Sequence, residues 1–159
     1  MLDLTHEDKI IQEWLLECPR LREQAEARRE DILGRSPSTS LASMVDGNTG
    51  ISDKTGQTGT DLAEMAQIEQ VIKLIEDFEK ALPPERRVFL ELRREYKYHG
   101  GQKGYTSRIQ YQFARQMAQR TGHEAYYSFH HRNTFASWWK DMINALAREA
   151  LRRGIQIKK

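Results

Sequence analysis

The sequence predicts an all-α fold, and three observations predict it. Apolar residues recur at three- and four-residue spacing in successive stretches, strand-like alternation is absent throughout, and residues suited to helix caps flank several of the stretches. Only 38% of the 159 residues are hydrophobic and the mean hydropathy is −0.76, which suits a small core with much exposed helix better than one large globule. The single cysteine, Cys18, excludes an intrachain disulfide and gives no sign of an oxidising compartment. No stretch approaches the ~20 apolar residues of a membrane span. The acidic start Met1-Leu2-Asp3-Leu4-Thr5-His6-Glu7-Asp8 lacks the basic-then-apolar order of a signal peptide, so the expectation is a soluble cytoplasmic protein with no membrane partner.

The first helix starts at a Thr5 cap, with Ile10, Ile11, Trp14, Leu15, Cys18 and Leu21 on its apolar side. Pro19 is expected to kink or interrupt it, because a proline nitrogen cannot donate to the helical ladder. The run Arg20–Arg35 is mostly charge and alanine, a solvated helix ending near Gly34. Residues 1–34 are thus read as an N-terminal helical arm. Residues 35–60, dominated by Ser, Thr, Gly and Asp, bury too little to recover their ordering entropy and are read as a flexible linker. Its Thr-Gly and Gly-Thr pairs are followed by no Gly-Lys-Ser/Thr, which argues against a phosphate-binding loop.

Asp61 and Glu64 have the spacing of a capping box, and behind them Leu62, Met65, Ile68, Ile72, Ile75, Phe78 and Leu82 form a long apolar stripe, widened by Val71 and Leu74. Pro83 and Pro84 end that helix and open the next, on which Val88, Phe89, Leu92 and Tyr96 share a face. After a Gly-rich loop at 98–105, a helix beginning at Thr106 or Ser107 points Ile109, Phe113 and Met117 inward and Arg108, Gln112, Arg115 and Gln119 outward, with Gly122 as its C-terminal cap. An aromatic turn (Tyr126, Tyr127, Phe129) precedes a last helix from about Asn133 to Arg153, whose inward face is Phe135, Trp138, Met142, Ile143 and Leu146. Trp139, beside Trp138, is either a flank of the core or a solvent-facing partner contact.

Charge is divided sharply along the chain. Residues 1–83 carry 9 Lys/Arg against 17 Asp/Glu, a net of −8, and residues 84–159 carry 16 against 6, a net of +10. A basic segment on helical patterning is the electrostatic footprint of a nucleic-acid-binding domain. Three successive helices there have the arrangement of a helix-turn-helix, whose second helix enters the major groove of double-stranded DNA. On that reading 61–159 is a helix-turn-helix DNA-binding domain. The outward residues of the last helix, Arg132, Asn133, Thr134, Ser137, Lys140 and Asn144, are the candidate base-reading set, since Arg matches guanine and Asn matches adenine by bidentate bonding. Arg108, Arg115 and Arg120 on the preceding helix are candidate phosphate contacts.

The phrase Leu82-Pro83-Pro84-Glu85-Arg86-Arg87-Val88-Phe89-Leu90-Glu91-Leu92-Arg93 resembles the first helix of sigma region 4, and the Phe135, Trp138, Met142, Ile143, Leu146 register is similar to that region's recognition helix. The layout of an N-terminal helix with Cys18-Pro19-Arg20-Leu21, a Ser/Thr/Gly linker near residue 40 and a long helix before Leu82-Pro83 resembles phage transcriptional regulators of the RinA/ArpU type. The loops at 97–106 and 122–132 are longer than is usual in that group. The resemblance implies a sigma region 4-like fold and a transcriptional activator of phage late genes. It implies work in the cytoplasm of a bacterial host, with host RNA polymerase as a candidate partner. A small-terminase-type DNA-packaging subunit is the alternative, because such proteins join a helix-turn-helix to oligomerising helices, and a homo-oligomer is then expected.

No catalytic constellation is legible, so no enzyme and no cofactor are expected. His123, His130 and His131 have no cysteine partners and no His-Glu-x-x-His pattern, and read as loop histidines rather than metal ligands. Cys18 and His6 are twelve residues apart and make no ready thiolate pair. The His-x-x-Arg element of tyrosine recombinases is missing.

Overall fold

A computed structural model of the chain describes residues 5–34, 50–97, 105–122 and 132–158. Among the described residues there are five helices and no strand: α1 (His6–Gly34), α2 (Gly50–Ala81), α3 (Pro84–Glu95), α4 (Tyr105–Thr121) and α5 (Arg132–Arg152). None is long and apolar enough to cross a membrane. The loop histidines, the aromatic turn and most of the Gly-rich loop lie outside the described residues, as does 35–49 of the expected linker.

The chain divides into two compact units, one made of Met1–Glu17 with Leu74–Lys159 and the other of Cys18–Lys73. In the first unit the core is drawn from five segments. Ile10, Ile11, Trp14 and Leu15 come from α1, Leu74, Ile75 and Leu82 from the end of α2 and just after it, and Val88, Phe89, Leu90 and Leu92 from α3. Ile109, Phe113 and Met117 come from α4, and Phe135, Trp139, Met142, Ile143 and Leu146 from α5. Three helices meet in an aromatic cluster: Phe89 of α3 stacks on Phe135 of α5 at 4.9 Å between centroids, and Phe113 of α4 meets Phe135 edge-on at 5.1 Å. Such pairs add about 0.5–1.5 kcal/mol each to the area they bury. In the second unit, the Arg28 and Arg29 guanidiniums of α1 pair with Glu64 and Glu69 of α2.

Local chemistry explains the helix ends. Thr5 and Asp8 form a reciprocal box, Asp8 N–H donating to Thr5 Oγ1 at 3.2 Å and Thr5 N–H to Asp8 Oδ2 at 3.0 Å. Pro84 occupies the first turn of α3, where its missing N–H costs nothing. Arg87 turns back on α2 and donates from Nε to the Leu82 carbonyl at 3.0 Å and from Nη2 to the Lys80 carbonyl at 2.6 Å, so this arginine of the Leu-Pro-Pro phrase caps the preceding helix. Gly122 ends α4 at φ +70° with its N–H on the Ala118 carbonyl at 2.9 Å. Gly154 (φ +69°) closes α5 in a Schellman turn, Ile155 N–H reaching the Ala150 carbonyl and Gly154 N–H the Leu151 carbonyl.

Four expectations are corrected. α1 is not interrupted at Pro19, and the carbonyl that Pro19 cannot serve, that of Leu15, accepts Nε of Arg94 at 2.7 Å. α2 begins at Gly50, so Gly50–Thr60 are helical rather than linker, and Asp61 and Glu64 lie inside the helix rather than capping it. Once the apolar stripe has nucleated a helix, each residue added at its start needs no new nucleus. That stripe is fully buried only at its far end: Leu74, Ile75 and Leu82 are buried, whereas Met65, Ile68 and Ile72 are half-buried and Leu62 is exposed. On α5 the buried indole is Trp139, 3% exposed, while Trp138 is half-buried on the flank, its ring still against Phe89, Phe113 and Phe135.

Candidate nucleic-acid interface

The basic half of the chain spends many of its cations on internal pairs. Arg94 of α3 pairs with Glu79, Lys97 with Glu17 at 2.9 Å, and Arg153 with Asp77 at 2.9 Å, so three acidic groups of the N-terminal half neutralise three cations within one unit. Arg86 pairs with Asp141 at 3.6 Å and lies 5.8 Å from the Trp138 ring centroid. Arg120 pairs with Glu91 at 3.4 Å. At the end of α5, Glu149 takes Arg152 at 2.5 Å and Arg153 at 2.9 Å, and those two guanidiniums hold its carboxyl down at about 2 against an ordinary 4.5. Hydrogen bonds from both favour the charged carboxylate, which is why the shift is downward.

Against this background several cations stay outside any ion pair among the described residues, Arg148 and Lys158 as well as four that concern the candidate interface. Arg108 and Arg115 on α4 and Arg132 and Lys140 on α5 are exposed and make no ion pair among the described residues. Their helices turn them outward for simple reasons of register. On α4, Arg108, Gln112, Arg115 and Gln119 fall on one stripe, opposite the buried Ile109, Phe113 and Met117. On α5, Asn133, Ser137, Lys140 and Asn144 follow a 4-3-4 spacing and are all exposed, opposite Phe135, Trp139, Met142, Ile143 and Leu146. The Asn144 carbonyl accepts Arg148 Nε at 3.3 Å.

Two shallow depressions lie on this basic side of the sequence. One gathers Arg132, Asn133 and Ala136 from the first turns of α5, Thr106 and Ile109 from the start of α4, and Arg93 from α3, over a floor of Phe89, Phe135 and Trp139. The Arg93 guanidinium lies over the Trp139 ring at 4.4 Å, and the Trp139 indole N–H donates to Gln12 Oε1 at 3.0 Å, which holds the ring by one face and by its edge. The other is lined by Tyr96, Ser107, Arg108, Tyr111 and Gln112.

The structure thus brings Arg132 and Asn133 together beside the start of α4 and sets Ser137, Lys140 and Asn144 on the exposed stripe that continues from Asn133. Thr134 is half-buried and lies off that stripe. Arg120 is turned about 120° from Arg108 around α4 and is engaged with Glu91. Sequence reasoning passed over Tyr111 and placed Gln112 outward without assigning it a contact; both line the Arg108 groove, and their i+3 and i+4 positions after Arg108 were the available signal. No family model, curated protein or solved structure matches this chain.

Proposed function

We propose that this protein is a sequence-specific regulator of transcription that binds double-stranded DNA through a sigma region 4-like helix-turn-helix, as an activator of phage late genes in a bacterial host. The observation that carries the reading is that Arg108, Arg115, Arg132 and Lys140 are exposed on α4 and α5 without an ion pair among the described residues, while Arg86, Arg94, Arg120, Arg152 and Arg153 of the same unit are paired. In this reading α5 is the recognition helix, Arg132 and Asn133 approach base edges from its first turn, and Ser137, Lys140 and Asn144 continue the contact. Arg108 and Arg115 position the module on phosphates, and the acidic surface of α1 is available to host RNA polymerase.

The test uses the full chain, because the first half of α1 belongs to the same unit as α3–α5. Binding to pooled genomic fragments should fall steeply with salt as counterions are released on phosphate neutralisation, and one class of fragment should survive the wash at higher salt. Salt-insensitive or absent binding to every fragment defeats the reading.

The exposed Leu62 and half-buried Met65, Ile68 and Ile72 on α2 favour a second reading, a small-terminase-type packaging subunit that assembles through this stripe. Light scattering separates the two: a ring of many subunits supports packaging, and a monomer or dimer supports regulation.

A further inference from the structure

Tyr111 is the one exposed aromatic ring among the described side chains, 55% exposed on the outer face of α4. Its hydroxyl makes no hydrogen bond among the described residues, and neither does the Gln112 amide. Tyr111 sits three residues after Arg108 and four before Arg115, so all three project from neighbouring turns of one face. Ser107, Arg108, Tyr111 and Gln112 also line the groove that Tyr96 closes from the end of α3. The whole of α4, Tyr105–Thr121, contains no Asp or Glu, in a chain with 23 of them. Its polar face therefore offers an unbroken row of cations and neutral hydrogen-bonding groups, with no carboxylate to repel an anion.

We propose that Arg108, Tyr111, Gln112 and Arg115 form a contact strip for the sugar-phosphate backbone of one DNA strand, with Tyr111 as its neutral anchor. This rests on the DNA-binding reading above and assigns a surface within it. Arg108 and Arg115 are about 10.5 Å apart along α4, farther than one phosphate group spans, so they neutralise separate phosphates. Between them the Tyr111 hydroxyl and the Gln112 amide donate to the intervening phosphate oxygens, and the exposed ring lies against deoxyribose. A strip of this kind grips the duplex without reading its sequence, because phosphates are the same at every step.

The experiment compares the full-length wild type with Tyr111→Ala, Tyr111→Phe and Arg115→Ala, by fluorescence anisotropy on a selected genomic duplex and on an unrelated one, across a salt titration. Tyr111→Ala should weaken both duplexes by the same factor, about three- to tenfold, the size expected for one lost hydrogen bond with its contact. It should leave the salt slope unchanged, since no charge is removed, whereas Arg115→Ala should reduce the slope by about one. Tyr111→Phe, which keeps the ring and loses the hydroxyl, should fall between Tyr111→Ala and wild type. Circular dichroism checks that the exposed position leaves the fold intact. Wild-type affinity in Tyr111→Ala beside weakened Arg115→Ala overturns the strip while leaving the DNA-binding reading in place. A Tyr111→Ala loss confined to one duplex overturns the backbone assignment, because it makes Tyr111 a base-reading residue. Equal competition by poly-L-glutamate and by duplex DNA overturns it as well, showing a face for anions in general. A wild type that binds neither duplex removes the reading on which the strip depends.

Discussion

Arg94 Nε donates to the carbonyl oxygen of Leu15 at 2.7 Å, and this is the carbonyl that Pro19 leaves without its helical donor. The same guanidinium pairs with Glu79, and both side chains are largely buried, at 16% and 24% exposure. One arginine thereby serves the carbonyl left open by a proline inside a 29-residue helix and joins the first half of α1 to the ends of α2 and α3 in a single polar junction.

Arg94→Ala should therefore destabilise the chain by about 2–4 kcal/mol, since it removes the donor from a helix-interior carbonyl and from a partly buried carboxylate. In a Pro19→Ala background the backbone N–H returns and serves the Leu15 carbonyl, so the cost of Arg94→Ala should shrink by about 1 kcal/mol. Urea denaturation of the four variants measures this coupling, and strict additivity would show that the two residues do not share the carbonyl.

The two neighbouring tryptophans should respond differently. Trp139→Ala empties a buried site and should cost roughly 3–5 kcal/mol, while Trp138→Ala, on the half-buried flank, should cost less. Trp139→Phe keeps most of the packing and loses the indole donor to Gln12, so about 1 kcal/mol is expected on thermal or urea unfolding. A larger loss from Trp138→Ala than from Trp139→Ala would reverse the register of α5.

If α5 reads bases, Arg132→Ala and Asn133→Ala should each remove about 1–3 kcal/mol of discrimination at a single base position. Competition binding with a library of singly substituted sites is the measurement. Uniform weakening across the library would place these residues on the backbone instead.

Stability should depend on pH through Glu149. Its folded carboxyl titrates at about 2 against an ordinary 4.5, with the Arg152 hydrogen bond the largest cause and Arg153 next. The carboxylate's contribution is thus fully present above about pH 4.5 and is lost as pH falls through about 2. Over that window the wild-type urea midpoint should drop more than that of Glu149→Gln, which has no proton to take up there. Parallel curves for the two proteins would mean that the cluster at the end of α5 does not stabilise the fold.

Local pattern carried most of the helix assignment. The spacing of Ile109, Phe113 and Met117, the Thr5 cap, the Pro83-Pro84 break and the Gly122 stop are each decided by residues within a turn or two of one another, and all stand in the structure. The Trp139 choice was also open to a local argument. At 100° per residue the mean direction of Phe135, Met142, Ile143 and Leu146 lies about 20° from Trp139 and about 80° from Trp138.

Two other matters depended on residues far apart in the chain. The donor to the carbonyl that Pro19 leaves open is Arg94, 79 residues after that carbonyl, and no periodicity encodes a donor at that distance. Which basic residues remain uncompensated is settled the same way, because Glu17, Asp77 and Glu79 reach their partners only when α1, α2, α3 and the end of α5 have packed. Sequence alone determined the all-α class, the faces of the helices and the division of charge, since these follow from backbone periodicity and a count of residues. The tertiary structure decided which charges cancel and which stay exposed, since a Coulomb pair depends on distance in space and not on separation along the chain.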